Sequence, residues 1–150
     1  LESTIVGLAN GNLTIFRKGG LSKETLQSGT SLKVKYHNIP KNAEPNLPGS
    51  VSSHYAPSTK LVRGQPEDWS NNPNLENIAV LAFQKHYDFL PDQQQIALSP
   101  KGDLQEAAQN LFSAMRTLDA LQPDLIIAEI FPERGLGVAI NDRLQRASIR

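Results

Sequence analysis

The sequence predicts an α/β chain whose main part is a mostly parallel sheet flanked by helices, preceded by a β-hairpin and a long linker. Three observations lead there. From about residue 58 onward, apolar strand-like runs alternate with amphipathic helical stretches, the pattern of strands joined by crossover helices. Near the start, an Asn10-Gly11 pair separates two β-branched runs, a strong hairpin signal. Between these parts, Pro40, Pro45, Pro48 and Pro57, with Asn38, Asn42 and Asn46 among them, break the chain, leaving about twenty residues unable to hold a regular element.

Taken in order, residues 3–8 and 13–17 form the two strands of the hairpin. Gly19-Gly20 breaks the second strand, and Ser22 followed by Thr25 starts a short capped helix that Gly29 can end. Between Gly29 and Pro57 an extended piece at 32–36 is the only regular element expected. A loop of this length is improbable inside a compact domain, so a linker or lid is expected. The chain thus divides into 1–29, 30–57 and 58–150. In the last part, 60–63, 78–83, 95–98 and 125–131 read as strands. The runs IAVLAF and LIIAEIF are apolar enough to be covered on both faces. A helix over 104–121 places Leu104, Ala107, Ala108, Leu111, Met115, Leu118 and Leu121 on one stripe. Asp103 with Glu106 gives it a capping-box-like start after the Ser99-to-Gly102 turn. A second helix over 136–149 buries Leu136, Ala139, Ile140, Leu144 and Ala147. This arrangement is Rossmann-like.

Composition narrows the function classes. The 150 residues are 39% hydrophobic and 20% charged, ordinary globular values. Fifteen basic residues balance fifteen acidic ones, so the chain lacks the electrostatic footprint that holds a phosphate backbone, and no direct nucleic-acid binding is expected. Without cysteine there is no disulfide framework, thiolate metal site or cysteine nucleophile. No apolar run has membrane-span length and no signal peptide opens the chain, so a cytoplasmic protein is expected.

Several polar groups stand out against this background. Ser3 and Thr4 bring two hydroxyls to the start of a strand, where they serve either strand propensity or a small polar ligand. Arg17 and Lys18 precede the Gly19 turn, and His54-Tyr55 lies between flexible Gly49-Ser50 and rigid Pro57. Gly135-Leu136-Gly137 follows a buried strand and opens a helix, a place where backbone N–H groups can hold an anion. Ile140 occupies the third glycine position of a dinucleotide fingerprint, which weakens a nicotinamide reading. Glu129 interrupts an apolar strand and needs a partner, with Arg143 a candidate. The Glu129 and Asn141-Asp142-Arg143 groups are either structural or part of a ligand site at the C-terminal edge of the sheet. His37 and His86 have no partner at metal-ligand spacing.

Three of these stretches, LEST at 1–4, PGSVSSHYAP at 48–57 and GLGVAINDRLQRAS at 135–148, together resemble the long two-domain form of threonylcarbamoyl-AMP synthase, in which a YrdC-like catalytic domain is linked to a smaller C-terminal domain. The resemblance implies that residues 1–29 are the tail of the catalytic domain, 30–57 the interdomain linker, and 58–150 the C-terminal α/β domain. The body of the catalytic domain would then lie upstream of Leu1. The implied activity condenses L-threonine, bicarbonate and ATP into threonylcarbamoyl-AMP and pyrophosphate for tRNA threonylcarbamoyladenosine, with Mg²⁺ in the full-length enzyme. Ser3 matches a threonine-binding serine, Arg17 an ATP-contacting arginine, and Tyr55 a linker tyrosine reaching the nucleotide. Two departures stand out: Lys18 replaces the proline of an R-P-G turn, and Ser50-Val51-Ser52-Ser53 replaces a basic, tyrosine-containing segment. The alternative is a non-catalytic domain from about residue 58 that binds a nucleotide or partner at the sheet edge.

Overall fold

In the computed structural model, which describes residues 1–37, 56–71 and 77–148, Asn10 and Gly11 take φ of 50° and 70°. Two successive positive φ values define the turn whose twist matches that of the paired strands, so β1 (Ile5–Ala9) folds directly back on β2 (Asn12–Arg17). The register shifts between Ile5 and Val6, a bulge that leaves Ile5 opposite Arg17. Helix α1 (Lys23–Ser28) starts where the Ser22 hydroxyl accepts from Thr25 N–H and stops at Gly29.

Gln27 of α1 then grips the returning chain, donating to the carbonyls of Thr30 and Leu32 and accepting from Val34 N–H. This delivers β3 (Val34–Tyr36) into parallel pairing with β2, giving a three-stranded sheet in the order β1-β2-β3. The sheet thus extends past residue 30, where a linker was expected to begin. Residues 38–55, with most of the expected linker and Tyr55, lie outside the described residues.

The second sheet contains β4 (Leu61–Arg63), β5 (Ile78–Ala82), β6 (Gln95–Ala97) and β7 (Leu125–Ala128). Its order is β4-β7-β5-β6 and every pairing is parallel. β5 and β7 are buried at every position, as central parallel strands covered on both faces must be. Helices α2 (Leu104–Ala120) and α3 (Leu136–Ser148) share one face. There Leu111, Met115, Leu118, Ile140 and Leu144 pack with Leu61, Leu81, Leu98 and Ile126. The opposite face, Ile78, Val80, Ala82, Leu125 and Ile127, is covered by Tyr87, Trp69, Val62 and Leu90, most of them from a 3-10 turn (Pro66–Trp69) and the loop before β6. Among the described residues, no helix is long and apolar enough to cross a membrane.

The element ends differ from the sequence expectations for local reasons. Helix α2 stops at Ala120 because Gln122 takes φ 51°, which leaves Leu121 43% exposed beyond the stripe. Its Asp103 cap accepts from Gln105 and Glu106 N–H. Glu106 does not return the bond to Asp103; its carboxylate takes the Ser99 hydroxyl, whose oxygen accepts from Asp103 N–H. The serine completes the capping box. β7 ends at Ala128 rather than continuing to 131, because Asn141 of α3 takes over the backbone of Phe131, accepting from its N–H at 2.9 Å and donating to its carbonyl at 2.8 Å.

Entry into α3 uses two glycines for different reasons. Gly135 takes φ 52°, and a Cβ on Gly137 would stand 2.0 Å from the Pro132 carbonyl oxygen. Backbone, not a flexible side chain, blocks that space. Gly137→Ala should therefore force the 132–137 loop away from α3 and cost about 3 kcal/mol, read as a lower urea midpoint with an unchanged slope.

Candidate functional site

The hairpin end near residue 3 is built by close backbone approach. A Cβ on Gly19 would lie 2.4 Å from the Glu2 carbonyl oxygen and 2.5 Å from Thr4 N, so only glycine lets the turn after β2 rest against residues 2–4. Gly20 N–H donates to the Glu2 carbonyl at 2.8 Å. The Thr4 hydroxyl donates to the Leu21 carbonyl and accepts from Leu21 N–H, so Thr4 works as a structural clasp. Pinned in this way, Ser3 meets Arg17. The Arg17 Nε donates to the Ser3 carbonyl at 3.0 Å, and a terminal guanidinium nitrogen donates to Ser3 Oγ at 2.8 Å. The fork of the guanidinium is thereby fixed in plane and held at the surface.

Lys18 is turned the other way. Its amine pairs with Asp142 of α3 at 3.1 Å and stands 5.4 Å from the Tyr36 ring centroid, with Lys23 at the same distance. Burial, then the charges of Glu24, Glu133 and Asp142, push the Tyr36 phenol up. Glu24 of α1 reaches the start of α3. Its carboxyl is held below the usual range first by its own backbone N–H, then by Ser22 and the Gly135 N–H. A carboxylate of the protein therefore already occupies part of the helix start that the sequence offered as an anion site, and Gly137 N–H is bonded to the Arg134 carbonyl.

Arg143 does not pair with Glu129. The Glu129 carboxylate accepts from Phe83 N–H on the neighbouring strand at 2.7 Å, so the interruption in β7 satisfies a backbone donor at the sheet edge. Arg143 is 1% exposed. Its guanidinium lies 5.3 Å from the Phe112 ring centroid, and its Nε is 3.6 Å from a Glu2 carboxylate oxygen. Sequence reasoning passed over Glu2 and this contact. The available signal was a charged residue on the stripe shared by Ile140, Leu144 and Ala147. Asn141 is likewise structural, and His86 bridges Asp92 and Asp88 in an exposed loop, its pKa raised mainly by the Asp92 bond. His37 stacks near Phe16, centroids 4.9 Å apart. Among the described residues, no group of three or more His, Asp or Glu could hold a metal ion.

Tyr55 falls outside the described residues, but the chain that follows it is anchored. Asp119 near the end of α2 accepts from Ser58 N–H and Thr59 N–H, both at 2.8 Å. Ala56 and Pro57 line a cavity of about 130 Å³ with Phe112, Met115 and Arg116.

The architecture is thus a Rossmann-like parallel α/β domain fixed by charge to a small sheet bearing an arginine-serine pair. Residues 21–148 match the family described as "Threonylcarbamoyl-AMP synthase, C-terminal domain", and the chain belongs to that family. Over 156 residues it is 28% identical to the threonylcarbamoyl-AMP synthase of Bacillus subtilis, covering 99% of this chain and 45% of the relative. Identity to the enzyme of that name from Pyrococcus abyssi is 27%, with 99% and 46% covered. The chain spans less than half the length of these curated relatives. Among solved structures, P. abyssi Sua5 complexed with L-threonine superposes with a TM-score of 0.72 at 27% identity, covering 98% of this chain and 45% of that one. An alanine variant of P. abyssi Sua5 shares the fold at TM-score 0.74 and 24% identity, with 99% and 45% covered.

The anchor at Asp119 has a pH signature. Burial pushes its carboxyl up, but the N–H donors of Thr59 and Ser58 outweigh this and leave it below the usual carboxylate value. A lowered folded pKa gives stability that is present above the unfolded value near 3.9 and is lost as pH falls through the folded one. Asp119→Asn should cost about 1 kcal/mol at pH 7, given the group's partial exposure. The difference from wild type should shrink as pH falls below the unfolded value and disappear once the folded-state carboxyl is protonated, as followed by thermal melts across pH.

Proposed function

We propose that this chain is part of an L-threonylcarbamoyladenylate synthase, the enzyme that makes threonylcarbamoyl-AMP and pyrophosphate from threonine, bicarbonate and ATP for tRNA modification. The observation that carries this reading is the Arg17–Ser3 pair: a serine assigned to threonine and an arginine assigned to ATP, fourteen positions apart in sequence, are in direct contact. In this reading residues 1–29 belong to the catalytic unit, to whose sheet Val34–Tyr36 adds a strand. Residues 30–57 are the linker and 58–150 the C-terminal domain.

The contact makes chemical sense of the pairing. A serine hydroxyl has one proton to donate and two acceptor positions. With Arg17 donating to the oxygen, the hydroxyl proton is directed away from Arg17, toward a carboxylate or hydroxyl of threonine. The adjacent guanidinium keeps its charge at any working pH and suits a phosphate oxygen. Threonine and the α-phosphate would then be bound side by side. The threonine amine is carboxylated by bicarbonate with loss of water, and an oxygen of the resulting carbamate attacks the α-phosphorus, breaking its bond to the departing pyrophosphate, so positioning supplies most of the rate. Tyr55 would contact the nucleotide from the linker and help keep water from two hydrolysable intermediates. The described residues offer Mg²⁺ no donor set, and no step in this reading passes through it.

The test is pyrophosphate release, measured on this chain alone and within a polypeptide of the relatives' full length. The chain alone should give no more than background. In the longer polypeptide, Ser3→Ala should raise the KM for threonine about tenfold, the loss of one hydrogen bond to a charged group. Arg17→Lys and Tyr55→Ala should raise the KM for ATP and leave that for threonine near wild type. Wild-type constants in Ser3→Ala and Arg17→Lys together would overturn the assignment.

A further inference from the structure

We infer that Arg143 of α3, acting through Glu2, is a positioning residue for Ser3 and Arg17, so that the C-terminal domain sets the geometry of the pair; this rests on the functional reading just given. Glu2 is held at two points. Its carbonyl accepts from Gly20 N–H at 2.8 Å, and its side chain, 17% exposed, faces the Arg143 guanidinium at 3.6 Å. The next residue presents both its carbonyl and its hydroxyl to Arg17. Rotation of the Glu2–Ser3 peptide would move both Arg17 acceptors together, and the Arg143 contact opposes that rotation from 141 positions away.

The guanidinium has little freedom of its own. Arg143 is 1% exposed, with Phe112 of α2 5.3 Å from its centre, between the buried neighbours Ile140, Leu144 and Ala147. A buried cation is costly unless matched by an anion, and Glu2 supplies one from the hairpin side. Nearby, Lys18 pairs with Asp142, and Asp142 also holds Arg146 at 3.1 Å. The Lys18–Asp142 pair joins the same two units without touching Ser3, whereas the Asp142–Arg146 pair lies within α3. Among the described ion pairs between the two units, that of Glu2 stands next to Ser3 in the chain. Glu2 acts on substrate only through Ser3.

A double-mutant cycle tests the link in two measurements. In the 150-residue chain, exchange of the Arg17 Nε–H proton is followed by NMR in Glu2→Ala, Arg143→Met and the double variant. Each single change should speed exchange about tenfold, and the double should be no faster than either single. Glu2→Ala alters the less buried partner and carries this measurement alone if Arg143→Met does not fold. Unchanged exchange in Glu2→Ala overturns the inference, as do additive effects across the cycle.

In a polypeptide of the relatives' full length, Glu2→Ala should raise the KM for threonine about tenfold with kcat changed less than twofold, while Asp142→Asn leaves both unchanged. Ser3→Ala is the reference. If it raises that KM and Glu2→Ala does not, positioning by Arg143 is wrong and the functional reading stands. If Ser3→Ala leaves the KM unchanged, the functional reading of Ser3 falls and the substrate-positioning role falls with it.

Discussion

Helix α3 faces two environments that make opposite demands. Toward the parallel sheet it presents Ala139, Ile140, Leu144 and Ala147, which must be dry. Toward the hairpin it presents Asp142 and Arg143, which must find countercharges. Both demands are met within one turn. A charge left without an anion in the interior is disfavoured by several kcal/mol, and among the described residues Glu2, near the start of the chain, brings a carboxylate to Arg143. Leu1 joins the same core as Leu111 and Leu118, which makes the contact apolar as well as ionic. The hairpin, the glycine turn at Gly19 and the arginine-serine pair all take their positions relative to that helix.

Much of the fold could be read locally, and its limits were set by distance along the chain. The Asn10-Gly11 turn, the Ser22 and Asp103 caps and the fully buried runs of β5 and β7 depend on neighbours within a few residues, and each signal appears as such in the sequence. Val34–Tyr36 was legible as extended but not as a parallel partner of β2, because that pairing is decided by Gln27 reaching forward to Val34 N–H. Glu129 was correctly singled out as needing a partner, but its partner proved to be a backbone amide of Phe83, which no pattern of charged side chains can reveal. The same limit hid Glu2 from the site. Ser3 and Arg17 were singled out through resemblance, and the structure shows them in contact.

Lys18 shows how a departure from a family pattern can be absorbed. A proline at that position would fix φ and carry no charge. The lysine instead extends an amine to Asp142 and over Tyr36, while the glycine that follows keeps the close approach to residues 2–4. The turn is therefore held by Gly19 packing, and the side chain before it is available for joining the two sheets.

The two faces of the parallel sheet are unequally protected. One lies beneath two helices of 17 and 13 residues. Among the described residues, the other lies under a four-residue 3-10 turn and a loop whose Tyr87 and Leu90 are held by the amide of Gln95. Cover built from short segments with few hydrogen bonds opens at lower free energy than packed helices do. Beneath it lies IAVLA, a strand with no charge and no proline, the composition that favours intermolecular β-pairing when it reaches solvent. Local opening on that side would expose this strand without any parting of the two helices, so a route to intermolecular pairing need not pass through global unfolding.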